Sequence, residues 1–205
     1  HENIAVLDFK AMYPNIMITQ NVSPDTLVTA TEPEPPCGVN VAPEVKHRFR
    51  TEPEGFYKKV LSRLIGAREE IRPKLRAFDS RSAEYRVLDA RQKAVKVITN
   101  ASYGYTGWVG ARWYVKPVAE AAAAWGRHTI LRTIELAKKA GLEVVYGDTD
   151  SIFVKHDLEK IERISSEIKE TLELEMKPDK VYDRILFTEA KKRYCGLLPG
   201  GRLDI

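Results

Sequence analysis

Apolar residues recur along this chain in two spacings, one typical of strands and one typical of helices. The short apolar run at residues 4–7 predicts a buried strand, and the mainly apolar run at 142–146 predicts another strand. Apolar positions 56, 60, 64, 67, 71 and 75 recur every three or four residues, which predicts a helix from residue 56 to about residue 78. Strands at both ends with helices between them predict an α+β fold, in which helices cover one face of an antiparallel sheet.

The remaining elements follow from helix and turn signals. A helix is predicted from about Ala11, with Pro14 in its first turn, where the missing N–H costs nothing. A second long helix, at about 82–102, is joined to the first by a short turn and predicts an antiparallel helical hairpin. Further elements are predicted as helices at about 117–140 (ending before Gly141) and 158–174, a strand through 185–187 into 191–197, and an irregular connection at 23–55.

Two carboxylates lie at the turn between the apolar runs 142–146 and 152–154, a pattern that predicts a strand hairpin. Asp148 and Asp150 are one residue apart, and like charges this close repel unless a cation lies between them. Magnesium prefers carboxylate oxygens and needs only one or two of them, which leaves room for phosphates. The turn is therefore predicted to form half of a metal site.

Asp8 is the candidate for the other half, because it ends the first apolar run and precedes a predicted helix. Backbone N–H groups from Lys10 to Tyr13 would point at whatever lies beside the metal, and a helix N-terminus binds phosphate. One acid on a strand and two on a neighbouring hairpin predict a two-metal phosphoryl-transfer site. Taken alone, Asp8 also fits an ordinary N-cap or turn aspartate.

The predicted helical hairpin carries a cationic array. Arg68 and Arg72 are four residues apart and share one helix face. The second helix presents polar residues on one face, opposite an apolar stripe at 88, 95 and 98: Lys93, Lys96, Asn100 and Tyr103. Guanidinium and ammonium groups that converge from two helices suit a triphosphate. A solvated basic face is the alternative.

Composition limits the class of protein. A chain of 205 residues with 43% hydrophobic content forms one domain, or one large domain with an inserted module. Its apolar runs fall short of the roughly 18 residues that span a membrane, and its first residues do not resemble a signal peptide. Two distant cysteines predict no disulfide and fit a reducing cytoplasm. The net charge of +4 is weak evidence for nucleic acid by itself.

With these motifs in this order, the sequence resembles family B DNA polymerases, and archaeal members most. Residues 8–16 resemble motif A, Lys96 with residues 100–104 resembles motif B, residues 146–151 resemble motif C, and residues 191–194 resemble the KKRY element. The resemblance covers essentially the whole chain. One departure is Pro73, which follows Arg72 where the family more often has lysine.

The resemblance implies a role for each matching residue. Asp8 and Asp150 would bridge two Mg²⁺ ions, with Asp148 as the flanking acid and the carbonyl of Phe9 as a further ligand. Tyr13 would be the steric gate against a ribose 2′-OH. The other implied contacts are Ala11, Met12, Tyr13, Arg68, Arg72, Lys96 and Asn100 with the dNTP, Tyr103 and Gly104 with the nascent base pair, and Lys191, Lys192, Arg193 and Tyr194 with DNA.

The implied function is a template-directed DNA polymerase core that adds dNMP to a primer 3′-OH and releases pyrophosphate. Expected domains are a palm at 1–55 and 103–205, ending before a thumb, with fingers at 56–102. Expected partners are primer–template DNA, dNTP, a sliding clamp, and the N-terminal, exonuclease and thumb segments, in the same longer chain or a separate polypeptide. No membrane is expected, and the location would be the cytoplasm, at the nucleoid.

Two alternatives stand beside this reading. A non-catalytic polymerase-like DNA-binding subunit or scaffold would be expected to have lost metal carboxylates, yet Asp8, Asp148 and Asp150 are all present. An RNA-directed or RNA-making palm enzyme is disfavoured by Tyr13 and by the KKRY element.

Overall fold

The computed structural model describes residues 1–29 and 31–205, so Ala30, inside the predicted irregular connection, lies outside the described residues. The chain divides into two compact units. The first unit comprises residues 1–12 and 126–205, and the second comprises residues 13–125. The predicted division into palm and fingers stays a prediction.

The first unit is built on a six-stranded antiparallel sheet. Its strands are, in chain order, β1 (Glu2–Phe9), β5 (Val144–Gly147), β6 (Ser151–Lys155), β7 (Met176–Phe187), β8 (Tyr194–Leu197) and β9 (Leu203–Asp204). Their order across the sheet is β5-β6-β1-β7-β8-β9. The prediction of an antiparallel sheet combined with helices is confirmed at this level.

Strand β1 lies in the middle of the sheet and explains the first apolar run. Residues 4–7 are all buried, because β6 and β7 flank the strand on both sides. Ile4 and Val6 belong to a cluster that also contains Phe153, Tyr182 and Ile185. Asp8 ends the row and is exposed, while Phe9 is buried again. The sheet therefore fixes the backbone of Asp8 on both sides.

Helix α5 (Leu158–Leu172) of this unit buries one apolar face. Ile161, Ile164 and Ile168 of α5 are buried at helical spacing. Asp157 caps the helix by accepting a hydrogen bond from the Lys160 N–H at 3.3 Å.

Strands β7 and β8 pack closely at one glycine. On β8, Gly196 lies directly against the ring of the fully buried Tyr182 of β7.

The predicted last strand is wrong in its bounds. Instead of one strand through 185–187 into 191–197, the chain forms a hairpin in which β7 begins at Met176 and pairs with β8. Residues 188–193 form the turn, with Lys192 at a positive φ of 63°. In the sequence, Lys177, Pro178 and Asp179 interrupt the apolar–polar alternation that indicates a strand. The first half of β7 could therefore not be predicted.

The second unit contains a small sheet that the sequence did not predict. Strands β2 (Leu27–Val28), β3 (Val39–Val41) and β4 (Arg48–Arg50) pair antiparallel in the order β2-β4-β3. The prediction of an irregular connection at 23–55 is therefore wrong for these residues. The strands have only two or three residues each, too few to show a period. Phe49 is fully buried at their centre.

Two long helices of the second unit form the predicted helical pair. Helix α2 (Phe56–Leu75) includes Pro73 in its last turn, and α3 (Ala83–Gly107) starts after Ser82, whose hydroxyl accepts the Tyr85 N–H at 3.1 Å. Arg68 Nε donates to Gln92 Oε1 at 3.2 Å across the pair. The apolar stripe was predicted to include Ile98, but this side chain is 56% exposed and Thr99 is buried instead.

Two further helices, α1 (Met12–Thr19) and α4 (Lys116–Lys139), run across the division between the units. The start of α1 and both ends of α4 were predicted to within one residue, and Gly141 adopts the expected positive φ of 72° after α4. Helix α3 extends five residues beyond its predicted end at 102. Over the described parts of the chain, none of the helices combines the length and apolarity needed to cross a membrane.

Candidate active site

The three candidate aspartates lie at the end of β1 and in the turn of the neighbouring β5–β6 hairpin. Asp8 of β1 is paired in register with Ser151 of β6, immediately after the hairpin turn. The Phe9 N–H donates to the Asp150 carbonyl at 3.0 Å, and the Asp148 N–H donates to the Ser151 carbonyl at 2.9 Å. The backbone around all three carboxylates is therefore fixed by hydrogen bonds. Asp8 and Asp150 are exposed and Asp148 is half-buried.

These carboxylates supply the oxygen ligands that a hard divalent cation prefers, but their side chains are not grouped closely enough to form a complete metal site. Across residues 1–29 and 31–205, no three His, Cys, Asp or Glu side chains are grouped so that they could hold a metal ion. The structure thus brings the backbones of Asp8, Asp148 and Asp150 together and leaves the ligand set, with the Phe9 carbonyl, as a prediction.

Lys192 lies on the acidic hairpin, a placement that the sequence did not predict. Its Nζ is 3.3 Å from Asp148 Oδ1 and 3.3 Å from Thr149 Oγ1. Its backbone N–H donates to the Tyr146 hydroxyl at 3.2 Å. The ammonium therefore stands where a cation would neutralise Asp148. No sequence signal links positions 43 residues apart, since only the pairing of β7 with β8 brings this turn back to the hairpin.

The rest of the KKRY element has two environments. Lys191 and Arg193 are exposed in the turn, whereas the ring of Tyr194 packs edge-on against Phe153, with centroids 5.3 Å apart. Tyr194 therefore contributes to the core of the sheet. The contacts of these four residues with DNA stay a prediction.

The turn after β1 differs from the predicted phosphate cradle at one position. The Lys10 N–H was predicted to face a bound phosphate, but it donates to the Glu175 carbonyl at 3.0 Å. Ala11 then takes a left-handed conformation with φ of 47°, which turns the chain into α1. That prediction is therefore wrong for Lys10. The N–H groups from Ala11 onwards stay candidates.

A cluster of two lysines around one glutamate lies beside Asp8. Glu175 Oε1 is 2.6 Å from Lys177 Nζ, and Glu175 Oε2 is 3.4 Å from Lys10 Nζ. The hydrogen bond from Lys177, together with the charge of Lys10, holds the pKa of Glu175 below its ordinary value. Lys177 is paired in register with Asp8. The sequence analysis missed this cluster, because strand β7 was not predicted there.

The second unit places the proposed gate residue against a second tyrosine. The rings of Tyr13 and Tyr103 are stacked, with centroids 4.3 Å apart and planes inclined by 7°. Tyr103 and Gly104 lie inside α3, which extends beyond its predicted end. Stacking of this kind adds about 0.5–1.5 kcal/mol beyond the burial of area. Tyr13 is therefore held in one orientation by Tyr103.

The cationic residues of the helical pair differ in how firmly they are held. Arg68 is half-buried, and its burial, followed by the nearby charge of Arg72, lowers the pKa of its guanidinium. Lys93 is paired with Asp89 at 2.6 Å, so its charge is locally neutralised. The predicted ligands Arg72, Lys96 and Asn100 are all exposed. Met12 is buried.

Comparison with known proteins agrees with this arrangement of motifs. The sequence model of DNA polymerase family B matches residues 1–202. The chain is 54% identical over 205 residues to DNA polymerase 2 of Aeropyrum pernix, covering 100% of this chain and 26% of that protein. It is 46% identical over 208 residues to a DNA polymerase of Archaeoglobus fulgidus, again covering 100% of this chain and 26% of the relative.

A solved structure gives the same result. The family B DNA polymerase of the hyperthermophilic archaeon Pyrobaculum calidifontis matches with a TM-score of 0.83 and 52% identity, covering 100% of this chain and 27% of that one. The chain therefore belongs to DNA polymerase family B. It spans about a quarter of the length of these relatives.

Proposed function

We propose that this chain carries the catalytic centre of a template-directed DNA polymerase. The observation that supports this most is the position of Asp8, which is held in register beside the Asp148–Asp150 hairpin of an antiparallel sheet in a family B chain. In this proposal the six-stranded sheet is the palm and helices α2 and α3 are the fingers.

The reaction is an in-line displacement at phosphorus. The primer 3′-oxygen forms a new bond to the α-phosphorus of a dNTP, the bond from that phosphorus to the bridging oxygen of the β-phosphate breaks, and pyrophosphate leaves with that oxygen. Positioning and electrostatic stabilisation supply most of the rate in phosphoryl transfer. Clustered carboxylates, cations and backbone donors are the means by which a protein provides them.

Asp8, Asp148, Asp150 and the Phe9 carbonyl would hold two Mg²⁺ ions, which supply Lewis-acid stabilisation of the charge that develops on the phosphate oxygens. The chain's own part is to fix these ligands through the Phe9–Asp150 and Asp148–Ser151 backbone bonds. Lys192 would leave Asp148 when the ions bind, because one carboxylate oxygen cannot serve the ammonium and a metal equally well.

Residues 11–13 and residues of helices α2 and α3 would select and hold the nucleotide. Arg68, Lys96 and Asn100 would bind the triphosphate, and Arg68 is the best anchored of these through its bond to Gln92. Ala11 and Met12 would contribute backbone, and Tyr103 and Gly104 would line the nascent base pair. Tyr13, stacked on Tyr103, would exclude a ribose 2′-OH.

A chimera provides the test, because the chain spans about a quarter of its relatives. The chain replaces the matching region of the Aeropyrum pernix DNA polymerase 2, and primer extension is measured with Mg²⁺, dNTPs and a labelled primer–template. Extension that depends on both template and dNTP is expected. A folded chimera that binds the primer–template but does not extend it would contradict the proposal and favour a non-catalytic DNA-binding role.

Substitution of Tyr13 tests the gate. Tyr13→Ala removes the ring that would meet the 2′-OH, so the preference for dNTP over NTP is expected to fall by about 100-fold, as when a pocket loses a single steric element. Tyr13→Phe keeps the ring and is expected to keep the preference. Ratios of kcat/KM for matched dCTP and CTP give the answer, and equal ratios for the wild type and Tyr13→Ala would show that the gate lies elsewhere.

Substitution of Lys192 tests the DNA contact. Lys192→Gln removes one charge near the primer–template, so the slope of log K against log salt is expected to become shallower by about 0.9, with affinity lower for every sequence. The unfolding free energy should change by less than about 1 kcal/mol, because the Lys192 side chain is largely exposed to solvent. Lys169→Gln, on the exposed side of α5, is the matched control. An unchanged slope would mean that Lys192 contacts only the hairpin and does not contact DNA.

A further inference from the structure

The carboxylate of Asp8 has neighbours of opposite character on its two sides. The sheet order β6-β1-β7 places the Asp148–Asp150 hairpin on one side of β1 and strand β7 on the other. Ser151 faces Asp8 from β6 and Lys177 faces it from β7. Residues directly opposite each other in an antiparallel pair project from the same face, with Cβ atoms about 5 Å apart. Lys177 therefore belongs to the same face as Asp8.

The alternation along β7 agrees with this assignment. Leu174 and Met176 are buried, whereas Glu175 is half-buried and Lys177 is exposed. The side chains of Glu175 and Lys177 thus project away from the core, on the face that Asp8 occupies. Both are accessible to a ligand, with 38% and 69% of their side-chain surface exposed.

Glu175 organises two ammonium groups into one site. It bridges Lys177 at 2.6 Å and Lys10 at 3.4 Å, and the backbone bond from Lys10 to Glu175 fixes the distance between the two strands. The cluster carries two positive charges and one negative charge. The net positive cluster therefore lies on the β7 side of β1, and the acidic hairpin lies on its β6 side.

We propose that Lys177, with Lys10 held by Glu175, binds the β- and γ-phosphates of the incoming nucleotide and the pyrophosphate that leaves. This inference rests on the proposed function, because it assigns the leaving group of that reaction to one side of Asp8. The net positive charge of the two lysines and Glu175 attracts the polyphosphate. Lys177 is a positioning residue for the polyphosphate and does not touch the attacked phosphorus.

The geometry also explains why the glutamate is present. Two lysines this close together would repel each other, and Glu175 offsets this repulsion. The Lys177 ammonium has three donors, and its bond to Glu175 does not use all of them. Charge-assisted hydrogen bonds of this kind are about twice as strong as neutral ones.

Calorimetric binding to the chimera that carries this chain in DNA polymerase 2 of Aeropyrum pernix tests the inference. The probes are inorganic pyrophosphate, a dNTP and the matching dNMP, each with Mg²⁺. Lys177→Gln is expected to weaken pyrophosphate and dNTP binding by about tenfold, the effect of losing one charge-assisted bond, and to change dNMP binding by less than about twofold. Lys177→Arg should stay within about threefold of the wild type for all three probes.

Lys155→Gln is the matched control, since Lys155 lies on the same sheet at the opposite end of β6 and donates to the Glu2 carbonyl. Its affinities should equal those of the wild type. If Lys177→Gln binds pyrophosphate as the wild type does, the inference is wrong and the proposed function stands. Tighter Mg²⁺ binding with unchanged pyrophosphate affinity would also overturn it, because Lys177 would then only neutralise Asp8. A folded chimera with the unsubstituted chain that binds neither dNTP nor pyrophosphate would contradict both the inference and the proposed function.

Discussion

Asp150→Ala is expected to lower primer extension by the chimera at least about a thousandfold, the cost of removing a group that stabilises the charge of a transition state. Asp150 is exposed, and its backbone carbonyl, not its side chain, accepts the Phe9 N–H. Alanine keeps that bond. The loss should therefore appear in kcat while the fold and the affinity for primer–template change little.

Asp183→Ala is the control for this substitution. Asp183 is an exposed aspartate on β7 of the same sheet, away from the hairpin. It should extend primers at the rate of the unsubstituted chimera. Thermal unfolding of both variants separates a loss of chemistry from a loss of fold. Extension that survives Asp150→Ala in a folded protein would end the two-metal account of this site.

Gly196→Ala is expected to destabilise the chain by about 2–3 kcal/mol, the usual range for forcing an extra methyl group into a packed core. An ideal Cβ at this position would lie 2.3 Å from both Cδ1 and Cε1 of Tyr182. That ring is fully buried, and its hydroxyl donates to Asp204 Oδ2 at 2.5 Å. The ring cannot withdraw without breaking this bond or leaving the core, so the strands must separate. Unfolding by urea measures the change.

Gly66→Ala is the matched control for Gly196→Ala. Gly66 lies inside α2, and a Cβ there meets no atom within 4 Å. Alanine is favoured over glycine within a helix by about 1 kcal/mol, so this variant should be as stable as the wild type or slightly more stable. If Gly196→Ala unfolded at the same urea concentration as the wild type, the packing of β8 against Tyr182 would be different from that described.

The long elements of this fold could be predicted from the sequence because their apolar residues are regularly spaced. Strand β1, the four long helices and the β5–β6 hairpin follow from this spacing, and the end of α4 follows from Gly141. The small sheet of β2, β3 and β4 could not, because two or three residues show no period. Its strands depend on contacts such as the burial of Phe49.

Some residues of the candidate site could be predicted from the sequence, and others could not. Asp8, Asp148 and Asp150 were found because charge at the end of an apolar run is visible in one dimension. The partners of these acids were not, since they come from β7 and from the turn after it. Lys177 reaches Asp8 through strand register, and Lys192 reaches Asp148 through the β7–β8 hairpin. Such pairings depend on which strands become neighbours, and this is decided by the whole sheet.

The stacked pair of Tyr13 and Tyr103 has a consequence for engineering. Under the proposed function, Tyr13 excludes the ribose 2′-OH and Tyr103 lines the nascent base pair. Because the two rings are stacked, each holds the other in position. Discrimination between sugars and tolerance of modified bases are then not separate traits that can be tuned one at a time. A library randomised at Tyr103 to accept altered bases would also produce enzymes that incorporate ribonucleotides.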